Sequence, residues 1–371
     1  MKRLLSLLLV AALLSLGAAA LTSCDKNELT FTRLSDGTYG VSAVRPERIE
    51  SAMIPATHEG VAVTAILPRA FEGAIRLREI AIPEGITSVG DAAFASCTAL
   101  TSVSLPSSLT YVGSSVFDGC TALAFTERDG AYYLGNAEAP TLYLAAIKDR
   151  EATAAVIAPE TRFIASRAFY GCPYLAEVTL PAGLLAVGAE AFGRCPALAA
   201  VTISDLAAFC RIAFADEAAN PAAVAGTLSL GGTPLTSLTV PAGVTTIGSY
   251  AFLGLPLTEI SLPESVVSIG DYAFAKTAVT AVTLPSGLTV IGRSAFTLCP
   301  ALREINVPSG VIYIGREAFF GCTALERATF GKIENWYVSG VPLSPEDIET
   351  PEVAAGTLVG GFNGSIWTQG K

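Results

Sequence analysis

Histidines and cysteines, the side chains most often used as proton carriers, metal ligands or thiol nucleophiles, are few in this chain, and most of the cysteines recur at fixed spacing. There is one histidine, His58, and eight cysteines in 371 residues. A single histidine leaves no two-histidine metal site and little choice of general base. Cys24 closes an apolar leader and Cys210 stands alone. The other six cysteines, Cys97, Cys120, Cys172, Cys195, Cys299 and Cys322, each follow a phenylalanine by three residues. No Cys-x-x-Cys spacing occurs, so neither a zinc nor a dithiol redox motif is written here. Ala74, Leu255 and Thr277 occupy the same slot elsewhere, which points to packing rather than chemistry. On stacked strands such cysteines would lie about 4.8 Å apart. A disulfide needs Cβ atoms about 3.8 Å apart, so free, buried thiols are expected.

The remaining candidates are scattered. His58 lies in Ala56-Thr57-His58-Glu59-Gly60, which reads as a tight surface turn, and no neighbour completes a Ser-His-Asp arrangement. No Gly-x-Ser-x-Gly, phosphate-binding or dinucleotide-binding glycine loop is present. Carboxylates fall singly at outward strand positions: Glu79, Glu177, Glu259 and Glu304. Around them Ser102, Ser104, Thr179, Thr202, Ser237, Thr239, Ser261, Thr283 and Asn306 form a hydroxyl-rich ladder. Either these residues make a binding face or they solvate an exposed strand. Surface charges are the norm, and cross-strand hydroxyl contacts contribute a few tenths of a kcal/mol each. Tyr132, Tyr133, Tyr143, Tyr250, Tyr272 and Trp336 are candidates for contacts, with a packing role expected for the tyrosines between Tyr132 and Tyr143.

A repeat must position all of these. Its pattern is Leu-x-x-Ile/Val-x-Leu/Ile-Pro-x-x-Leu/Val/Ile-x-x-Ile/Val-Gly-x-x-Ala-Phe-x-x-Cys. The phenylalanine recurs at Phe71, Phe94, Phe117, Phe169, Phe192, Phe252, Phe274, Phe296 and Phe319, at spacings of 23, 23, 52, 23, 60, 22, 22 and 23. Alternating apolar residues before proline, as in Leu257–Pro263, predict a short strand facing a core. Val266–Gly270 predicts a second extended segment ending at a turn glycine, and Ala273-Phe274 a helical or 3-10 turn. One such coil cannot bury its apolar side alone, but stacked coils can. The expected fold is therefore α/β, a solenoid of 22–23-residue coils with parallel strands, short second strands and helical turns. That spine accounts for 51% hydrophobic residues and a mean hydropathy of +0.53.

These residues resemble the BspA-type leucine-rich repeat family of bacterial surface proteins. The resemblance extends to the irregular parts: an entry coil from Gly37 to Thr64, a hairpin segment around Tyr132–Asn136, a second insertion opening at Ser204, and a cap at Asn335–Val338 and Trp367. Insertions are expected at about 124–152 and 204–234 within a repeat region of 36–335, followed by a C-terminal cap at 336–371.

The N-terminus reads as an address. Lys2 and Arg3 precede an apolar run from Leu4 to Leu16 and small residues, the layout of a signal peptide over 1–23. Leu21-Thr22-Ser23-Cys24 resembles the lipobox of bacterial lipoproteins, implying acylation of Cys24 and a tether over 24–35. The expected location is extracytoplasmic, lipid-anchored to the bacterial membrane or surface. The chain carries a net charge of −10 with no basic patch, which argues against a nucleic-acid partner.

These readings point to a non-catalytic, monomeric module without cofactor or metal. The family resemblance implies adhesion or host and community interaction through protein or glycan ligands. The candidate ligand face is Arg78, Glu79, Glu177, Thr179, Thr239, Glu259, Thr283, Arg303, Glu304 and Asn306. A structural envelope spacer and, more remotely, a hydrolase are the alternatives.

Overall fold

The computed structural model describes residues 28–360 and 362–370. The leader and Cys24 lie outside the described residues. Within them the fold is a β-solenoid, divided into two compact units: residues up to 127 with 133–142, and residues 128–132 with 143 onward. Each is built from the same coil.

In the first unit, Ser51–Met53, Glu79–Ala81 and Ser102–Val103 pair in parallel, with Ala52, Ile80 and Val103 in one register row. The second side of the coil pairs Tyr39–Ala43, Val61–Ile66, Ser88–Val89 and Tyr111–Val112, also in parallel. The tether expected over 24–35 needs correction, because Leu29–Arg33 is a strand, antiparallel to Tyr39–Ala43. Its alternation of Leu29 and Phe31 suits a strand, and Asp36 makes the reversal by accepting from the Thr38 amide and hydroxyl.

The second unit repeats the scheme. Ala154–Val156, Glu177–Thr179, Ala200–Ile203 and Ser229–Leu230 form one parallel set. Ser237–Thr239, Glu259–Ser261, Ala281–Thr283, Glu304–Val307 and Arg327–Phe330 form another. The segment 204–234 does not lie outside the stack. Ala213–Phe214 continues the short-strand ladder from Ala186–Val187, and Ser229–Leu230 continues the long one. It is a lengthened coil, with helices Leu206–Phe209 and Pro221–Ala225 taking up the extra residues. At the C-terminal end Trp367–Gln369 pairs antiparallel with Tyr313–Ile314 and Trp336–Val338, while helix Pro351–Val359 packs on Arg327–Phe330. This closes the open strand edge.

The expected helical turn at Ala-Phe is the main correction. Each repeat phenylalanine is flanked, two residues before and two after, by backbone in the left-handed region. Tyr272 and Lys276 around Phe274 are one example, with φ of 57° and 59°. Left-handed residues break a helix, and here they turn alternate amides outward. The amides of Tyr272, Phe274 and Lys276 donate to Arg293, Ala295 and Thr297 carbonyls on the next coil at 2.8–2.9 Å. Intervening amides, such as those of Ala273 and Ala275, close tight turns within their own coil. The turn side is thus a third hydrogen-bonded ladder, and its phenylalanines stack at 5.4–5.6 Å through Phe252, Phe274, Phe296 and Phe319.

The corner glycine has a different job from the one expected. At Gly292 φ is not positive; instead, an added Cβ would lie 2.5 Å from the Gly270 carbonyl carbon and 2.7 Å from the Asp271 nitrogen. Gly270 and Gly315 meet backbone of the preceding coil just as closely. Gly292→Ala is therefore expected to lower stability by roughly 1–3 kcal/mol through overpacking. Ser96→Gly, which relieves a left-handed residue with φ of 60°, should raise it by up to about 1 kcal/mol. Urea unfolding of both variants measures this, and equal, near-zero changes would contradict the geometry.

Candidate ligand-binding face

Outward-pointing side chains on the long strands inherit the ladder spacing. In the C-terminal sheet, Thr239, Ser261 and Thr283 lie in register, as do Asn306 and Thr329. The adjoining row holds Ser237 against Glu259, and Ala281 against Glu304 and then Arg327. Core residues Leu238, Ile260, Val282 and Ile305 alternate with them beneath. Thr239, Glu259, Thr283, Arg303, Glu304 and Asn306 are thus exposed on one sheet. Glu177 and Thr179 are exposed on the other long-strand sheet of the same unit, and Arg78 and Glu79 belong to the first unit. The candidates thus belong to three strand ladders.

Few of these side chains are engaged. Thr329 donates to Asn306 Oδ1 at 3.0 Å, and Arg327 pairs with Glu352 at 3.1 Å on the capping helix. Both contacts are solvent-exposed and contribute little to stability.

The aromatic candidates divide by depth. Tyr133, Tyr143 and Trp336 are buried and serve packing, the Trp336 indole donating to the Lys332 carbonyl. Tyr250 and Tyr272 are half-buried on the turn side, stacked with centroids 5.1 Å apart, and Arg293 lies over Tyr272 at 5.0 Å. Burial, reinforced by Tyr272, raises the Tyr250 pKa. Sequence reading missed a second cluster there: Arg167 and Arg194 both lie over Tyr170, at 5.3 and 5.5 Å, and Arg167 pairs with Glu190. The available signal was position, since Arg167 and Arg194 occupy the two left-handed slots around successive phenylalanines.

His58 is not at the turn tip but one step before it, paired with Val61 across the Glu59-Gly60 hairpin. Phe31 stacks on its ring at 4.0 Å, Tyr39 meets it edge-on, and Glu59 stands 4.0 Å from Nε2. The imidazole therefore packs against two aromatic rings, one stacked and one edge-on. Among the described residues no group of three or more histidine, cysteine or carboxylate side chains could hold a metal. No described helix is long and apolar enough to cross a membrane.

All seven described cysteines are buried free thiols. They do more than fill space: Cys97, Cys120, Cys195, Cys299 and Cys322 each donate to the phenylalanine carbonyl of the preceding coil at 3.1–3.2 Å. Burial pushes Cys172 up to about 11 and Cys210 up to about 12. Cys97 and Cys322 are raised because each donates a hydrogen bond to the neighbouring coil's sulfur, Cys120 and Cys299, and then by burial.

The repeat is matched by the model of the BspA type leucine rich repeat region, in six copies over 48–129, 146–219 and 229–338, more than half of the chain. The chain belongs to this family. Solved structures similar to this BspA-type chain include a leucine-rich repeat protein of Bacteroides ovatus, 24% identical, covering 83% of this chain and 71% of that one with a TM-score of 0.33. A leucine rich cell surface protein of Faecalibacterium prausnitzii is 23% identical, with coverages of 82% and 87% and a TM-score of 0.34. The T. pallidum leucine rich repeat protein is 18% identical over 49% of this chain and 85% of its own, with a TM-score of 0.29. No curated protein matches the chain in sequence.

The thiols give a pH prediction. The folded pKa values of Cys172 and Cys210 lie above the unfolded ones, so the contribution of these two thiols is complete below about pH 8.5 and is lost as pH rises toward 11–12. Cys172→Ala should flatten the fall of melting temperature above pH 9. In native protein a thiol reagent should find almost no reactive sulfur, and in unreduced, denatured protein all of it. A native protein that titrates fully would contradict the burial.

Proposed function

We propose that this BspA-type chain is a lipid-anchored, extracytoplasmic bacterial surface protein. It binds large protein or glycan ligands through its exposed strand rows and acts in adhesion rather than catalysis. The observation that carries the reading is the pair of in-register rows on the C-terminal sheet. They hold Thr239, Ser261, Thr283 and Asn306 beside Glu259 and Glu304, mostly free of internal commitments. Repeated hydroxyl, amide and carboxylate groups offer many modest contacts to an extended partner, and such contacts become selective when summed. Absence of a basic patch favours neutral or cationic partners over nucleic acid. Anchoring rests on the resemblance of Leu21–Cys24 to a lipobox. Two acyl chains or more would hold the chain stably where a single chain would not.

Two experiments test this. The purified protein, presented to immobilised extracellular-matrix proteins, mucins and cell-wall fractions, should bind at least one saturably. The double variant Glu259→Lys/Glu304→Lys should weaken that binding at least fivefold at unchanged melting temperature. Saturable binding to none would favour a spacer without a ligand. Separately, Cys24→Ala should move the protein from the membrane fraction to the soluble one and abolish labelling by radioactive fatty acid; retention of both would overturn the anchor.

A further inference from the structure

In the first unit the regular burial of the long strands fails at one place. The core row that keeps Ala52 and Ile80 buried continues to Val103, which is only partly covered. One coil further on, Thr126 is exposed. The backbone register that places them is continuous, since the Ala124 amide donates to the Thr101 carbonyl. The apolar row therefore ends in a hollow rather than in a closed core. The segment Tyr133–Pro140 overhangs it and makes a cavity of about 380 Å³. That volume falls within the range of small-ligand sites, about 300–1,000 Å³.

Its lining has a definite chemistry. Val103, Leu134, Pro140 and the half-open ring of Phe125, 38% exposed, supply apolar surface. Ser104, Thr126 and the Asn136 region supply neutral polar groups. No charged side chain lines it, in a chain whose strand faces otherwise carry charges at Glu79, Glu177, Glu259 and Glu304. The overhang is held firmly. Asn136 Nδ2 donates to the Leu105 carbonyl at 2.8 Å and to the Ser107 hydroxyl at 3.0 Å, while its Oδ1 accepts from the Glu138 and Ala139 amides. Gly135 is required for this approach, because a Cβ there would lie 2.0 Å from the Ala139 carbonyl oxygen. Such a hollow is formed before any ligand arrives, which lowers the cost of ordering it.

We infer that this hollow binds the end of a neutral saccharide, with one face of a pyranose ring against Phe125 and its hydroxyls toward Ser104 and Thr126. A sugar is the ligand class that presents an apolar ring face and a rim of uncharged donors and acceptors together. A peptide terminus, phosphate or uronic acid would bring charge into a site with no counter-charge, at a desolvation cost. The inference rests on the reading of the chain as a ligand-binding surface protein and narrows it, at this site, to glycans.

An array of neutral and acidic oligosaccharides, followed by calorimetry on each hit, tests it with the purified protein. Expected is binding of neutral members, weakened at least tenfold by Phe125→Ala and abolished by Ser104→Trp, which fills the hollow. Circular dichroism melting checks that both variants fold, and Phe125→Ala, at an exposed position, provides a second readout should the tryptophan disturb packing. Binding restricted to acidic members, no neutral binding at millimolar concentration, or neutral binding undiminished in both variants would each overturn the inference. Glu259→Lys/Glu304→Lys separates the two readings. If that variant loses attachment to matrix or wall fractions while the array shows no neutral binding, the saccharide site falls and the strand-face reading stands. If neutral sugars bind in the hollow and nothing attaches through the strand rows, the saccharide site stands and the strand-face reading falls.

Discussion

Everything in this molecule follows from how closely one coil can approach the next. At the corner after most short strands the backbones come so near that a single β-carbon would collide, as the 2.4–2.7 Å distances at Gly90, Gly270, Gly292 and Gly315 show. With that contact allowed, ladders form on all three sides of the coil: two of parallel strands and one of outward-turned amides around the repeat phenylalanine. The left-handed residues beside that phenylalanine cost energy, about 1–2 kcal/mol each where a side chain is present. They persist because they release alternate amides to the neighbouring coil. Ser96, Lys276 and Leu298 are held in that conformation by the ladder, while Gly73, Gly171 and Gly321 adopt it more readily.

Surface and interior are both consequences of that stacking. A side chain on one coil has its counterpart one rung away on the next, so like residues are drawn into rows. Inside, this stacks phenylalanines and carries five of the described thiols to the preceding coil's carbonyl. Outside, it aligns hydroxyls and carboxylates on the strand face and places Tyr250 on Tyr272. Ordered rows of exposed polar groups arise here without any one residue being specialised for them. The exception, at Val103 and Thr126, is where the row pattern breaks and a concave site forms.

Much of this was legible in the sequence because the repeat is covariant with the structure: a period of 22–23 fixes which residues share a row. Strand positions, buried phenylalanines and unpaired thiols followed directly. What did not follow depended on backbone shape. Ala273-Phe274 has the composition of a helical turn, and nothing in its side chains announces that Tyr272 and Lys276 are left-handed. Leu29–Arg33 was short and polar enough to pass for a tether, since its pairing with Tyr39–Ala43 is a tertiary fact. Segment 204–234 looked like an insertion because its lengthened turns hide two in-register strands. The Tyr170 cluster and the hollow beside Phe125 require contacts across coils that spacing alone cannot rank.

Amide hydrogen exchange, resolved to single residues in the native protein, tests the dependence on stacking most directly. If the turn side is a true ladder, the amides of Tyr272, Phe274 and Lys276, with their equivalents Arg69, Phe71 and Gly73, will be protected as strongly as those of the short strands. Exchange of these amides at the rate of exposed turns, with the strands protected, would contradict it, leaving the coils joined on two sides only.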